Sequence, residues 1–206
     1  MFSFSLGRGL VELRGVEGGE WGEWPSFLHV TSSSSSPDSD SDCAPCVTLD
    51  GIQLRNLAED CDCTLARVTS GGRLRLQRCT ASNPSTRLSG RGVACAFGAG
   101  SSLAATGCSF AGGDFGVIFG NGAEGELTGC EVCGCREAGV SVWGAGTCPK
   151  LAWLAVRDCG AGVRVSGGVD GGWELGEGNS FVNCEEGDVD DSRVHARGGN
   201  VNLAQG

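Results

Sequence analysis

The chain has 206 residues, 37 of them glycine and 13 cysteine, and a formal net charge of −10. Glycine is at more than twice its usual share of about 7%, yet it has no period of three and only 5 prolines beside it, which excludes collagen. Frequent interior glycine disfavours a helical bundle, 40% apolar content disfavours global disorder, and the acidic balance disfavours nucleic acid as a partner.

Met1 to Val16 contains Arg8, Glu12 and Arg14, which interrupt the apolar core that a signal peptide needs. No apolar run approaches the ~20 residues of a membrane span. The one glycosylation-like triplet, Asn83-Pro84-Ser85, is disqualified by its proline. With an odd number of cysteines, these features set the expectation of a reducing, cytoplasmic setting and no membrane partner. One domain over 1–206 is the simplest division of this length.

Val11-x-Leu13, Leu28-x-Val30, Val47-x-Leu49 and Leu65-x-x-Val68 are alternating fragments, expected to complete the first coils of a repeat. Among them, residues 31–45 form a Ser/Asp-rich loop whose core is the low-complexity run 31–42. Ser35, Ser39 and Ser41 there suit an acidophilic kinase, while the plainer reading is a tolerated surface insertion. Cys43-x-x-Cys46 and Cys61-x-Cys63 come near a zinc spacing, but the second pair is one residue short. A redox reading of the first pair needs a helix N-terminus, and no helix is predicted. Residues 81–92 are full of turn formers and read as a loop insertion.

A repeat follows. Gly92-Val93, Gly116-Val117, Gly139-Val140 and Gly162-Val163 place their valines 24, 23 and 23 residues apart. Each opens a short strand, with Val93/Cys95, Val117/Phe119, Val140/Val142 and Val163/Val165 on one face. Ala94, Ile118, Ser141 and Arg164 then lie on the other. A second strand recurs as Ile52/Leu54/Leu57, Leu74/Leu76/Cys79, Cys108/Phe110/Gly113, Cys130/Val132/Cys135, Leu154/Val156/Cys159 and Asn179/Phe181/Cys184. Its middle members are 22, 34, 22, 24 and 25 apart, and removing the 81–92 insertion restores the period. Short strands every 22–25 residues, with no helix between them, predict an all-β, single-stranded right-handed parallel β-helix of about seven to eight coils. Glycines are expected at corners, where the backbone adopts φ > 0. Residues 188–206 form an irregular tail that starts another coil or covers the open end.

The runs Val47–Asn56, Leu74–Cys79 and Gly129–Cys135 resemble the right-handed parallel β-helix, pectin-lyase-like superfamily. Within it, the coils look most like the β-helix repeat regions of F-box and SHC-binding type adaptor proteins. The resemblance covers 47–187 and implies the fold. It also implies two functions. One is a non-catalytic module presenting flat parallel faces to a protein partner. The other is a carbohydrate-active protein, a polysaccharide lyase, hydrolase or binder.

Enzymes of this fold use clustered carboxylates on an outer sheet, often with calcium and a basic residue. The outward rows Gln53, Arg75, Ser109, Glu131, Ala155, Ser180 and Ala94, Ile118, Ser141, Arg164 hold no two carboxylates on adjacent coils. Asp190-Asp191 lies outside the core repeats and reads as surface charge, and a triad of Asp190, Ser192 and His195 has no geometric support. Hence no catalytic, cofactor or metal residue is assigned. A carboxylate pair beside an arginine on one outer face would favour the carbohydrate reading.

Cys79, Cys135, Cys159 and Cys184 share one repeat position and Cys108 and Cys130 another, which predicts reduced thiol ladders in the core. His29, between Leu28 and Val30, faces outward on its strand. Of Trp21, Trp24, Trp143, Trp153 and Trp173, Trp143 and Trp153 follow strands near corners and are expected to be partly buried.

Overall fold

Short alternating runs punctuated by glycine become strands, and among the described residues there is no helix. The computed structural model describes residues 2–6, 9–13, 26–32, 46–56, 63–84, 91–170 and 172–191. The strands, numbered in chain order, fall into three sheets. Sheet A holds β1 Phe2–Leu6, β2 Gly9–Leu13, β3 Ser26–Ser32, β6 Thr64–Thr69, β9 Gly92–Phe97, β12 Phe115–Gly120, β15 Ala138–Trp143, β18 Ala161–Ser166 and β21 Val189–Asp191. Sheet B holds β4 Cys46–Asp50, β7 Arg73–Gln77, β10 Ser102–Thr106, β13 Glu124–Thr128, β16 Cys148–Ala152 and β19 Glu174–Leu175. Sheet C holds β5 Gln53–Arg55, β8 Thr80–Asn83, β11 Ser109–Gly112, β14 Glu131–Cys133, β17 Ala155–Arg157 and β20 Ser180–Val182. The chain passes through A, B and C in turn, and like strands pair in parallel: an all-β solenoid of about six turns.

The turn count falls short of seven to eight because the first fragment is not a coil. Val11-x-Leu13 lies on β2, which pairs antiparallel with both β1 and β3. Among the described residues, sheets B and C begin at β4 and β5. At the other end, β21 pairs with β18 and begins a further passage, so the tail starts inside the repeat.

The core is built from inward rows, one residue per coil. Sheet A contributes Ala66, Ala94, Val117, Val140 and Val163, then Val68, Ala96, Phe119, Val142 and Val165. Sheet B contributes Leu49, Leu76, Ala105, Leu127 and Leu151, and sheet C Leu54, Ala81, Phe110, Val132 and Val156. Most of these side chains are almost wholly removed from water, the main stabilising term. A buried amide pair closes the entry to the second coil. Asn56 Nδ2 donates to Asn83 Oδ1 at 2.9 Å, and Asn83 Nδ2 donates to the Cys63 carbonyl at 2.9 Å.

Four details of the repeat differ from expectation. Val117 pairs with Ala94 and Ile118 with Cys95, so Ala94 and Ala96 are the inward pair of β9 and Cys95 faces outward. Leu74 and Leu76 lie in sheet B, and the sheet C partners of Leu54 are Ala81 and then Phe110. The insertion is shorter than 81–92, because β8 runs to Asn83 and Gly92 opens β9.

The fourth concerns the glycines before valine. Gly116, Gly139 and Gly162 are absent from the positive-φ set. They are needed because a Cβ there would meet Val132 Cγ1 at 2.3 Å, Val156 Cγ1 at 2.4 Å and Phe181 Cδ1 at 2.4 Å. Sheet A closes onto sheet C through three missing side chains. Positive φ recurs at other corner positions, and one line of it runs between sheets B and C: Gly51, Arg78, Gly107, Gly129 and Trp153, at 65°, 49°, 60°, 61° and 54°.

Candidate functional site

The outer face of sheet A is not open. Cys95, Ile118 and Ser141 point away from the core yet are 0%, 3% and 5% exposed. Burial pushes the Cys95 thiol up to about 12, so it stays protonated. His29 faces outward as expected and hydrogen-bonds the Thr69 hydroxyl at 2.8 Å.

At the C-terminal coils this face carries a charged cluster. Arg164, whose side chain is 18% exposed, donates to Glu137 at 2.5 Å, to Asp190 at 3.2 Å and to Glu186. Arg164 and Asp190 are register neighbours, while Glu137 and Glu186 come from corners that an alternation rule does not place. This is the carboxylate cluster with an arginine that the outward rows lacked. All three acids are already acceptors for one guanidinium, the arrangement of an ion-pair network. Asp191 points inward in register with Val165 and is buried, so Asp190 and Asp191 do not act as a pair.

The outer faces of sheets B and C are exposed and in register. On sheet B the rows Arg73, Ser102, Glu124 and Arg75, Ala104, Glu126 repeat one order: base, small residue, acid. Lys150 and Glu174 extend the second row and approach to 3.7 Å. On sheet C, Arg157 donates to Glu131 at 2.8 Å, and Val182, beyond Arg157 in register, is 50% exposed.

Trp153 stands on the corner between these faces. It is 57% exposed, against the expected partial burial, and adopts φ 54°. Three other coils place glycine on this line, where the left-handed backbone is free of strain, and one places Arg78. A bulky residue with positive φ is a genuine outlier. The indole lies against Gly178, close enough that a Cβ there would be 2.1 Å from a ring carbon. Of the remaining tryptophans, Trp143 is tilted at 56° against Phe97, 5.8 Å away, and Trp173 packs partly on the core.

The cysteine ladders exist with different membership. Cys79 belongs with Cys108 and Cys130, because its N–H donates to Cys108 Sγ at 3.4 Å and sheet C places all three at one corner. Cys135, Cys159 and Cys184 form the second ladder at the opposite corner of the same sheet. All six are free thiols. The Cys108 thiol is raised by its hydrogen bond to Cys130 and by burial, and Cys130 is lowered by the same bond. Likewise the bond from Cys135 draws Cys159 down to about 7, against its burial.

Of the zinc-like set, Cys46 is exposed and Cys63 buried, and no group of three metal-ligating side chains occurs among the described residues. Cys43, Cys61, Trp21, Trp24, Ser192, His195 and the serines at 35, 39 and 41 lie outside the described residues. No helix among the described residues is long and apolar enough to cross a membrane. No family model matches the chain, and no curated protein or solved structure does.

Proposed function

We propose that the chain is a non-catalytic interaction module of the pectin-lyase-like kind, akin to the β-helix repeats of F-box and SHC-binding type adaptors, acting on a protein partner in the cytoplasm. The observation that carries this reading is Trp153, more than half exposed in a backbone conformation that suits glycine. Local strain retained at a surface residue argues for a role beyond packing. Tryptophan and arginine are enriched among the residues that carry interface binding energy, and Arg157 lies four residues on, at the end of the strand Ala155–Arg157 that follows the Trp153 corner. The ordered charges of sheet B flank the same corner and fix orientation rather than supply affinity.

The Arg164 cluster favours a second reading, a carbohydrate-active protein, with Trp153 as a sugar-stacking surface. Against it stands the acidic net charge, which repels polyanionic substrates.

Affinity capture from the organism's own extract, with wild type and Trp153→Gly side by side, separates the two. The first reading expects a protein retained by wild type and lost from the variant, with no polysaccharide retained or cleaved. Cleavage or retention of a polysaccharide, abolished by Glu137→Gln or Glu186→Gln, would establish the second. Equal protein capture by both forms would refute the role of Trp153.

A further inference from the structure

The two cysteine ladders are chemically alike and differ in access. Cys79, Cys108 and Cys130 are all buried. Cys135, Cys159 and Cys184 line an open groove of about 570 Å³, shared with Arg136, Asp158 and Glu185. Cys184 is half-buried and Cys159 is 2% exposed. One sulfur at the mouth therefore stands beside one set in the wall.

The register brings these two residues together. Arg157 pairs with Val182, two positions before Cys159 and Cys184, and the Glu185 N–H donates to the Cys159 carbonyl at 3.2 Å. Cysteines in register on neighbouring strands are about 4.8 Å apart, inside the roughly 4.4–6.8 Å Cα range of a disulfide. Cys135 is engaged on the other side: its thiol reaches the Gly112 carbonyl at 3.4 Å and holds Cys159 by a hydrogen bond. Cys184 makes a long contact, 3.9 Å, to the Val182 carbonyl and a hydrogen bond to the Cys159 backbone, which holds its sulfur against the strand end that carries Cys159.

We propose that Cys159 and Cys184 form a peroxide-sensitive dithiol, a modification site on the groove between sheets C and A. The oxidant is a small hydroperoxide. The Cys159 thiolate attacks the terminal peroxide oxygen, the O–O bond breaks, and the alkoxide or hydroxide leaves and takes up a proton. Cys159 is then a sulfenic acid. Cys184 gives up its proton, its sulfur attacks the Cys159 sulfur, the S–O bond breaks and water leaves. Two thiols and one hydroperoxide become one disulfide, one alcohol or water, and one water. The depressed ionisation of Cys159 supplies the thiolate that the first step needs. Cys135 is a positioning residue, whose hydrogen bond stabilises that thiolate. The product staples the last two coils of sheet C together.

The test treats the reduced full chain with stoichiometric hydrogen peroxide, blocks remaining thiols, and maps disulfides by proteolysis and mass spectrometry. The expected product is a Cys159–Cys184 peptide, two hydrogens lighter and restored by dithiothreitol. In Cys184→Ser the sulfenic acid persists and is trapped at Cys159 by dimedone. Cys108→Ser leaves the yield of the Cys159–Cys184 link unchanged. Wild-type mapping decides the matter even where a variant does not fold. The proposal is overturned by Cys159 and Cys184 remaining alkylatable after peroxide, or by the sealed ladder oxidising as readily.

Discussion

Replacing Trp153 by glycine and, separately, by alanine isolates the backbone strain at the corner between sheets B and C. Both changes remove the indole and its contact with Gly178. What differs is the tolerance of each residue for φ 54°. An L-residue in the left-handed region costs about 1–2 kcal/mol. Glycine avoids that cost but gives back about 0.4–1 kcal/mol through the greater freedom of its unfolded chain. Glycine should therefore be the more stable of the two by roughly 1 kcal/mol, the reverse of its usual rank. For a chain of this length that is about 2–4 °C in the unfolding midpoint. Urea or thermal melts of the two variants, followed by near-ultraviolet circular dichroism, read the difference directly. Alanine equal to or above glycine would refute the strain argument, and with it the main reason for treating Trp153 as more than packing.

Gly139→Ala should destabilise by about 1–3 kcal/mol, since the new methyl meets Val156 Cγ1 at 2.4 Å and the Gly162 carbonyl at 2.9 Å. Adding Val156→Ala should recover part of that loss, and a double-mutant cycle in urea checks the coupling. Asn83→Ala removes the buried bonds to Asn56 and to the Cys63 carbonyl and should cost about 1–3 kcal/mol by the same melts. Alkylation of Cys159 should rise about tenfold per pH unit up to its inflection and then level off. That inflection sits at about 7, and Cys135→Ala should move it upward by removing the first cause of the depression; mass spectrometry of iodoacetamide adducts reads it. The linkage follows in sign. A depressed folded-state ionisation stabilises fully above the ordinary value of 9.0, and that contribution is lost as pH falls through about 7. Above 9.0 the raised Cys135 opposes it, because its unfolded thiol ionises while the folded one resists.

The period of the later coils was plain in the sequence because one cause, inward packing, repeats there with one spacing. Val117, Val140 and Val163 mark true equivalents. At Val93 the same dipeptide misleads by one residue, since Gly92 points outward against Ile118 whereas Gly116 points inward against Val132. Leu74 and Leu76 carry a similar ambiguity. Sheets B and C both present alternating apolar pairs, and periodicity alone does not say which face of a three-sided coil a strand belongs to. The antiparallel hairpin of β1 and β2 has the alternation of a coil strand, and direction leaves no trace in alternation. The exposure of Trp153 is not legible in the sequence, because only the register of sheets B and C aligns it with Gly107 and Gly129. The Arg164 cluster has no signature in strand alternation, because Glu137 and Glu186 sit on corners.

The last two of these departures, at Trp153 and Arg164, fall in the C-terminal coils. A solenoid solves its packing once per coil, so a position that repeats faithfully reports on the core and little else. The information about function lies in the coils that break their own row. On the line between sheets B and C, Gly51, Arg78, Gly107 and Gly129 are followed by Trp153, the one exposed aromatic of the row. In the ladder facing that line across sheet C, the sealed environment of Cys135 gives way to the half-open one of Cys184. Trp153 and Cys159 share one coil, and Val182 and Cys184 share the next. A disulfide from Cys159 to Cys184 would fix the relative position of the two coils that carry the exposed Trp153 and Val182. Oxidation would then alter the rigidity of the proposed contact surface without touching its residues. Partner affinity should therefore change on peroxide treatment of wild type and stay constant in Cys184→Ser. A change of equal size in that variant would separate the thiol chemistry from the interaction surface and leave each to stand alone.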